Sequence, residues 1–313
     1  MIQEVKLRAD NPKAGYAPPD PIGMVLRDVP GVVSQAIRMG FQGASTLRGR
    51  KPKWLRALSD VRLVSVRGDR EPAIRFDAPQ FGDVAGDLYA QLELWPSSRP
   101  DPEDTGFDLV GDIVRDIADR NSDSGRFDYP LLRRVTALGR VLNGCFDRMA
   151  ITGRRYEEPH AALVDKTVIA TAHEFCSDTP APARARMVGV LDMLQASTQS
   201  FTLELDEGAR AHGVLAEGDI DALADLFHRR VLVLGQAVFR ASGRFLRIDA
   251  DSVTLAVDEP PIWSLVPEPS DARLDARSLG APRGRRRGLA AIVGQWPGDE
   301  TDEAIAELLR ELS

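Results

Sequence analysis

The stretch whose reading decides the fold is residues 185–257, ARMVGVLDMLQASTQSFTLELDEGARAHGVLAEGDIDALADLFHRRVLVLGQAVFRASGRFLRIDADSVTLAV. Met187–Gln195 is apolar and strand-like. Phe201, Leu203 and Leu205 alternate with Thr202, Glu204 and Asp206, the two-residue period that puts one set on a buried face and the other outside. Glu207-Gly208 then turns the chain into Ala209–Leu215. Asp219 stands as a helix N-cap before Ile220, Leu223, Leu226 and Phe227, and two more strands, Arg229–Phe239 and Arg244–Thr254, meet at Ser242-Gly243.

Three strands, a helix and two strands is the element order of a small five-stranded barrel, and residues 184–257 resemble an OB-fold on that ground. An unrelated small barrel or an open α+β sheet is the alternative. Before this region, residues 2–8 alternate like a strand. Ile22, Val25, Leu26, Val29, Val32, Val33, Ala36 and Ile37 repeat at helical spacing, with Pro30-Gly31 expected to kink or split that helix. Val61–Val66 and Ala73–Phe76 flank a Gly68-Asp69 turn, the pattern of a hairpin. Helices are predicted over Leu109–Ala118, Tyr129–Leu142 and Ala162 to about Glu174. The class is therefore α+β. An N-terminal α+β domain covers 1–183 and an OB-like barrel 184–257. A Pro- and Arg-rich linker follows over 258–290, and a C-terminal amphipathic helix over 291–313.

Composition narrows the function classes. The chain has 313 residues and a net charge of −7, which disfavours a surface devoted to phosphate backbones. No run approaches the roughly 18 uninterrupted apolar residues of a membrane span. The opening MIQEVKLRAD lacks the charged-then-apolar build of a secretory leader, so a cytoplasmic protein is expected. Cys145 and Cys176 read as reduced, partly buried thiols. His160, His173, His212 and His228 accompany no nucleophile motif, and His173 with Cys176 makes only half of a metal-ligand set. No glycine-rich phosphate loop is present. Asp101, Glu103, Asp104, Asp112 and Asp116 read as solvated loop and helix faces, although two of them paired would suit acid/base chemistry. The expectation is a non-catalytic protein with no metal and no cofactor. An enzyme with a carboxylate site is the rival.

Nucleic-acid binding is a second rival. A basic loop of Arg48, Arg50, Lys51, Lys53 and Arg56 surrounds Trp54, a second basic run spans Arg283–Arg287, and Phe245 and Arg247 are expected on the outside of the last strand, where they would stack a base. Glu204 and Asp206 on the outer face of the second strand would repel phosphates, so this reading is not favoured.

The end of the chain carries the last signal. Gly294-Gln295-Trp296-Pro297-Gly298-Asp299-Glu300-Thr301 leads into Ile305, Leu308, Leu309 and Leu312, four apolar residues on one helical face that a short helix cannot bury alone. Docking on its own body or in a partner's groove are the two outcomes. This segment resembles the one found in small bacterial antitoxin-like proteins encoded beside PIN-domain ribonuclease toxins, a likeness that covers about 20 of the 313 residues. The resemblance implies a protein partner such as a PIN-domain toxin, with Trp296 anchored in a pocket and the four apolar residues filling a groove. Asp299, Glu300, Asp302 and Glu303 would meet basic or metal-binding groups. The chain is larger than a typical antitoxin and shows no helix-turn-helix, which puts operon control in doubt.

Overall fold

The computed structural model describes residues 1–10, 17–47, 49, 51–89, 99–142, 144–215, 220–257 and 259–269. Met1–Pro269 is one compact unit with two hydrophobic cores. The first core lies under an antiparallel sheet of β1 (Ile2–Arg8), β2 (Arg62–Arg67), β3 (Ala73–Asp77), β4 (Arg148–Ile151) and β5 (Ala162–Asp165), in the order β2-β3-β1-β4-β5. Val5, Leu7, Ile74, Phe76, Met149 and Val164 form its buried face.

Against that face pack α1 (Pro19–Gln42), through Val25, Val29, Val33 and Ile37, and α5 (Gly106–Ala118), through Phe107, Val110, Val114 and Ile117. Between them in sequence lie α2 (Lys53–Leu58) and two single turns, α3 (Phe81–Val84) and α4 (Gly86–Tyr89); α6 (Tyr129–Ala137) and α7 (Lys166–Asp178) follow α5. Pro30 does not split α1, which runs unbroken and ends at Gly43, whose φ of 75° lets its N–H reach the Met39 carbonyl. The expected helix from Ala162 is corrected: its first four residues form β5, and Asp165 caps the helix that follows by accepting from the Val168 N–H. The hairpin falls as expected, with Gly68 at positive φ. Cys145 is exposed rather than partly buried.

The second core fills a closed barrel of β6 (Ala183–Gln195), β7 (Ser200–Glu204), β8 (Arg210–Leu215), β9 (Arg230–Phe239) and β10 (Phe245–Leu255), ordered β10-β8-β7-β6-β9. Only β8 and β10 pair in parallel, through Gly213, Val214 and Leu215 opposite Ile248, Asp249 and Ala250. This is OB-like connectivity. Ile220–Leu226 between β8 and β9 is a 3-10 helix that plugs the barrel with Ile220 and Leu223. Phe201 lies across from Gly213, where any Cβ would stand 2.2 Å from the ring.

Part of the stretch expected as linker is ordered on the barrel. Pro261–Ser264 is a 3-10 turn held on the barrel, with Arg186 stacked 4.9 Å from the Trp263 ring centroid and Arg230 donating to Ser264 Oγ at 2.9 Å. Residues 270–290 and the whole 291–313 segment, including Trp296, Asp299, Glu300, Ile305, Leu308, Leu309 and Leu312, lie outside the described residues. No described helix is long and apolar enough to cross a membrane.

Polar latches join the two halves. Arg247 of β10 and Asp128, which caps α6, are 3% and 0% exposed and meet at 3.1 Å. Ser45 donates to the same carboxylate through its N–H and its hydroxyl, and Arg247 also reaches the Gly43 carbonyl and Asp249. A second latch docks the β9–β10 turn on the loop after α5: the Ser242 N–H donates to the Ser122 carbonyl, and Arg240 and Arg244 pair with Asp123.

Candidate functional site

A cleft of about 980 Å³ opens between the sheet half and the barrel. Its floor is the end of α1, with Met39, Gly40 and Phe41. One wall is α5 and the loop after it. The other is the outer face of β6, β7 and β8, presenting Met193, Gln195, Ser200, Thr202, Arg210 and His212. Strand alternation places these side chains, because Phe201, Leu203 and Ala211 point into the barrel and their neighbours must point out.

The α5 wall carries an aspartate at every fourth position, Asp104, Asp108, Asp112 and Asp116, which falls on one side of a helix. They are not solvated faces: Asp104, Asp108 and Asp116 are buried. Each is held. Asp108 closes a capping box with Thr105 and accepts from the Arg155 N–H. Arg154 and Arg155 both bond Asp104, Arg155 grips Asp112 through two nitrogens at 2.8 and 2.7 Å, and the Tyr156 hydroxyl adds a bond to Asp112 at 2.6 Å. Arg126 and Ser124 hold Asp116. Burial, with help from the Asp108 charge, pushes the Asp104 carboxyl above the usual carboxylate value in spite of its arginines. Among the described residues no three His, Cys, Asp or Glu side chains are arranged to hold a metal ion.

His212 faces the cleft from β8 and donates from Nε2 to the Gln42 carbonyl at 3.0 Å, a partner that can only accept and so fixes the proton on that nitrogen. Burial, and secondarily the neighbouring Arg247, lowers its pKa below the ordinary 6.5 against the opposing effect of that bond. Between the lowered value and 6.5 the unfolded chain takes up a proton that the folded chain refuses. The stability owed to neutral His212 is therefore complete above 6.5 and is lost as pH falls through the folded value. The melting temperature is expected to drop between about pH 7 and pH 5, and to drop less in His212→Gln. Parallel curves for the two proteins would remove His212 as the cause.

The residues singled out from sequence scatter. Arg48 and Arg50 lie outside the described residues. Lys51, Lys53 and Arg56 are exposed, the last two on α2, so the basic loop is partly helical. Trp54 is a packing residue: its ring sits 5.8 Å from Phe41, and its Nε1–H donates to the Ser197 carbonyl in the β6–β7 turn at 2.9 Å. Phe245 is half-buried and packs against the barrel core, and Arg247 is buried in its latch. The bulge in β10 between the two turns Phe245 toward the barrel core, whereas Arg247 keeps the outward side opposite Ile248 and is buried because the sheet half covers that face. Nor do the outer acids of β7 stand alone, since Arg210 lies directly across from Glu204 and Arg230 pairs with Asp206. The cleft wall itself was missed, though Arg210-Ala211-His212 shows the outward alternation of a cationic and a titratable side chain.

In comparisons with protein-family models, curated proteins and solved structures, nothing matches this chain.

Proposed function

We propose that the chain is a binding protein of the antitoxin-like kind, whose 291–313 segment engages a partner protein such as a PIN-type ribonuclease toxin. The observation that carries this reading is the sequence Gly294–Thr301 followed by Ile305, Leu308, Leu309 and Leu312, which combines a Trp-Pro-Gly anchor, an acidic stretch and an apolar helical stripe too short to be stable unpartnered. Acids at the start of such a helix also favour it through the macrodipole. The body then serves as a rigid holder for a terminal binding peptide.

The test is co-expression with a PIN-type ribonuclease from the native host, using the full chain and a version ending at Gly280. The full chain is expected to co-purify with the nuclease and to suppress RNA cleavage, and the shortened one to do neither. Trp296→Ala in the full chain should weaken the complex by about thirtyfold, the size of a buried aromatic anchor. Equal inhibition by both lengths would reject the reading.

A further inference from the structure

Donor and acceptor accounting among the described residues points to a ligand site in the cleft. Every aspartate lining it is committed to protein partners: Asp101 to Arg154 and the Glu103 N–H, Asp104 and Asp112 to arginines, Asp123 to Arg240, Arg244 and Ser242. Asp104 and Asp112 lie deep with arginines over them, whereas Asp101 and Asp123 are 51% and 37% exposed, each paired with arginine. Arg126 is 58% exposed above Asp116 at 12%, and Arg155 is 37% exposed above Asp104 and Asp112 at 3% and 13%. Along α5 and the loop after it, what faces solvent is therefore guanidinium rather than carboxylate.

Several of these donors are spare. Arg126 uses one nitrogen of its guanidinium on Asp116, and Arg210 makes only a 3.5 Å contact to Asp192. The side chains of Asn121, Gln195 and Thr202 bond nothing among the described residues, although all line the same cleft. Arg126 and Asn121 come from the α5 side, Arg210, Gln195 and Thr202 from the barrel. Cationic and neutral donors thus face each other across an apolar floor of Met39 and Phe41.

We propose that this cleft binds a nucleotide, free or as part of a single strand, with its phosphate between Arg126 and Arg210 and its base edge on the Asn121 and Gln195 amides. Donors on opposite walls need an acceptor with oxygens pointing in several directions, which a tetrahedral phosphate supplies and a planar carboxylate does not. An amide both donates and accepts, as a base edge requires.

The experiment measures binding of UMP by calorimetry and of fluorescein-labelled oligouridylate by anisotropy to the full-length chain, the Arg210→Gln and Thr202→Glu variants, and Arg184→Gln, which alters an exposed barrel arginine paired with Asp251 and absent from the cleft lining. The melting temperature of each variant is checked first. Both cleft variants should weaken binding at least tenfold, on the order of one charge-assisted contact, and Arg184→Gln should leave it unchanged. UMP binding that competes with the oligomer assigns the site to free nucleotides; binding of the oligomer alone assigns it to a strand. No binding of either probe, or binding that folded Arg210→Gln and Thr202→Glu retain in full, overturns the proposal.

Discussion

Asp128→Ala should lower the free energy of unfolding by about 3–5 kcal/mol, the range for removing one partner of a buried ion pair. The carboxylate of Asp128 accepts from the Ser45 N–H at 3.0 Å, the Ser45 hydroxyl, the Leu131 N–H at 3.3 Å and Arg247 at 3.1 Å. Its loss uncaps α6, frees the Ser45 loop and strands a guanidinium that stays buried with Asp249 and one carbonyl for company. Because Asp128 lies in one half and Arg247 in the other, the damage should spread to the junction. Urea unfolding followed by tryptophan fluorescence reads the loss, since Trp54 touches the β6–β7 turn across that junction. Asp128→Asn, which keeps an N-cap acceptor, should cost less than the alanine. The double variant Asp128→Ala with Arg247→Met should cost less than the two single changes added. A loss of under about 1 kcal/mol in Asp128→Ala would show that the latch does not hold the halves.

Phe201→Ala in the barrel core should destabilise by about 3–5 kcal/mol, the usual outcome of emptying a buried phenylalanine site. The ring is fully buried and lies over Gly213, where a Cβ would stand 2.2 Å from its Cζ. Gly213→Val is therefore incompatible with the ring and should be at least as damaging as the truncation. Combined, the two changes should repair each other in part, because the valine fills space that the ring has left, by about 1–2 kcal/mol in a double-mutant cycle. Strict additivity in denaturant unfolding would mean that the barrel relaxes around each change independently.

The barrel was readable because its signal is local: alternation in Phe201–Leu205, turns at Gly208 and Gly243, and a helix-forming interval between the third and fourth strands. Boundaries slipped where one pattern ran into another, as at Ala162–Asp165, an apolar strand flush with a helix. Strand β4, only Arg148–Ile151, is too short for a period to show. The cleft was legible in halves. Aspartates at every fourth position from Asp104 to Asp116 are visible in sequence, but the arginines that neutralise Asp104 and Asp112 come from residues 154 and 155, 43 to 51 positions on, and no local rule links the two. Arg247 illustrates a stricter barrier, since it does face out of the barrel as the alternation predicts, but the sheet half docks over that face and buries it at 3% exposure, which no local pattern reveals.

Strand β10 supplies both the parallel seam with β8 and the arginine that answers Asp128. During synthesis these arrive together and late. A nascent chain that has passed α6 already carries a capping carboxylate destined for burial, yet its counter-charge and the closing strand are still more than a hundred residues from being made. Until β10 leaves the ribosome, β6 to β9 have an open edge and the sheet half has a wet, unmatched acid. Completion of the barrel and docking of the halves should therefore be one event, timed by translation of residues 245–255.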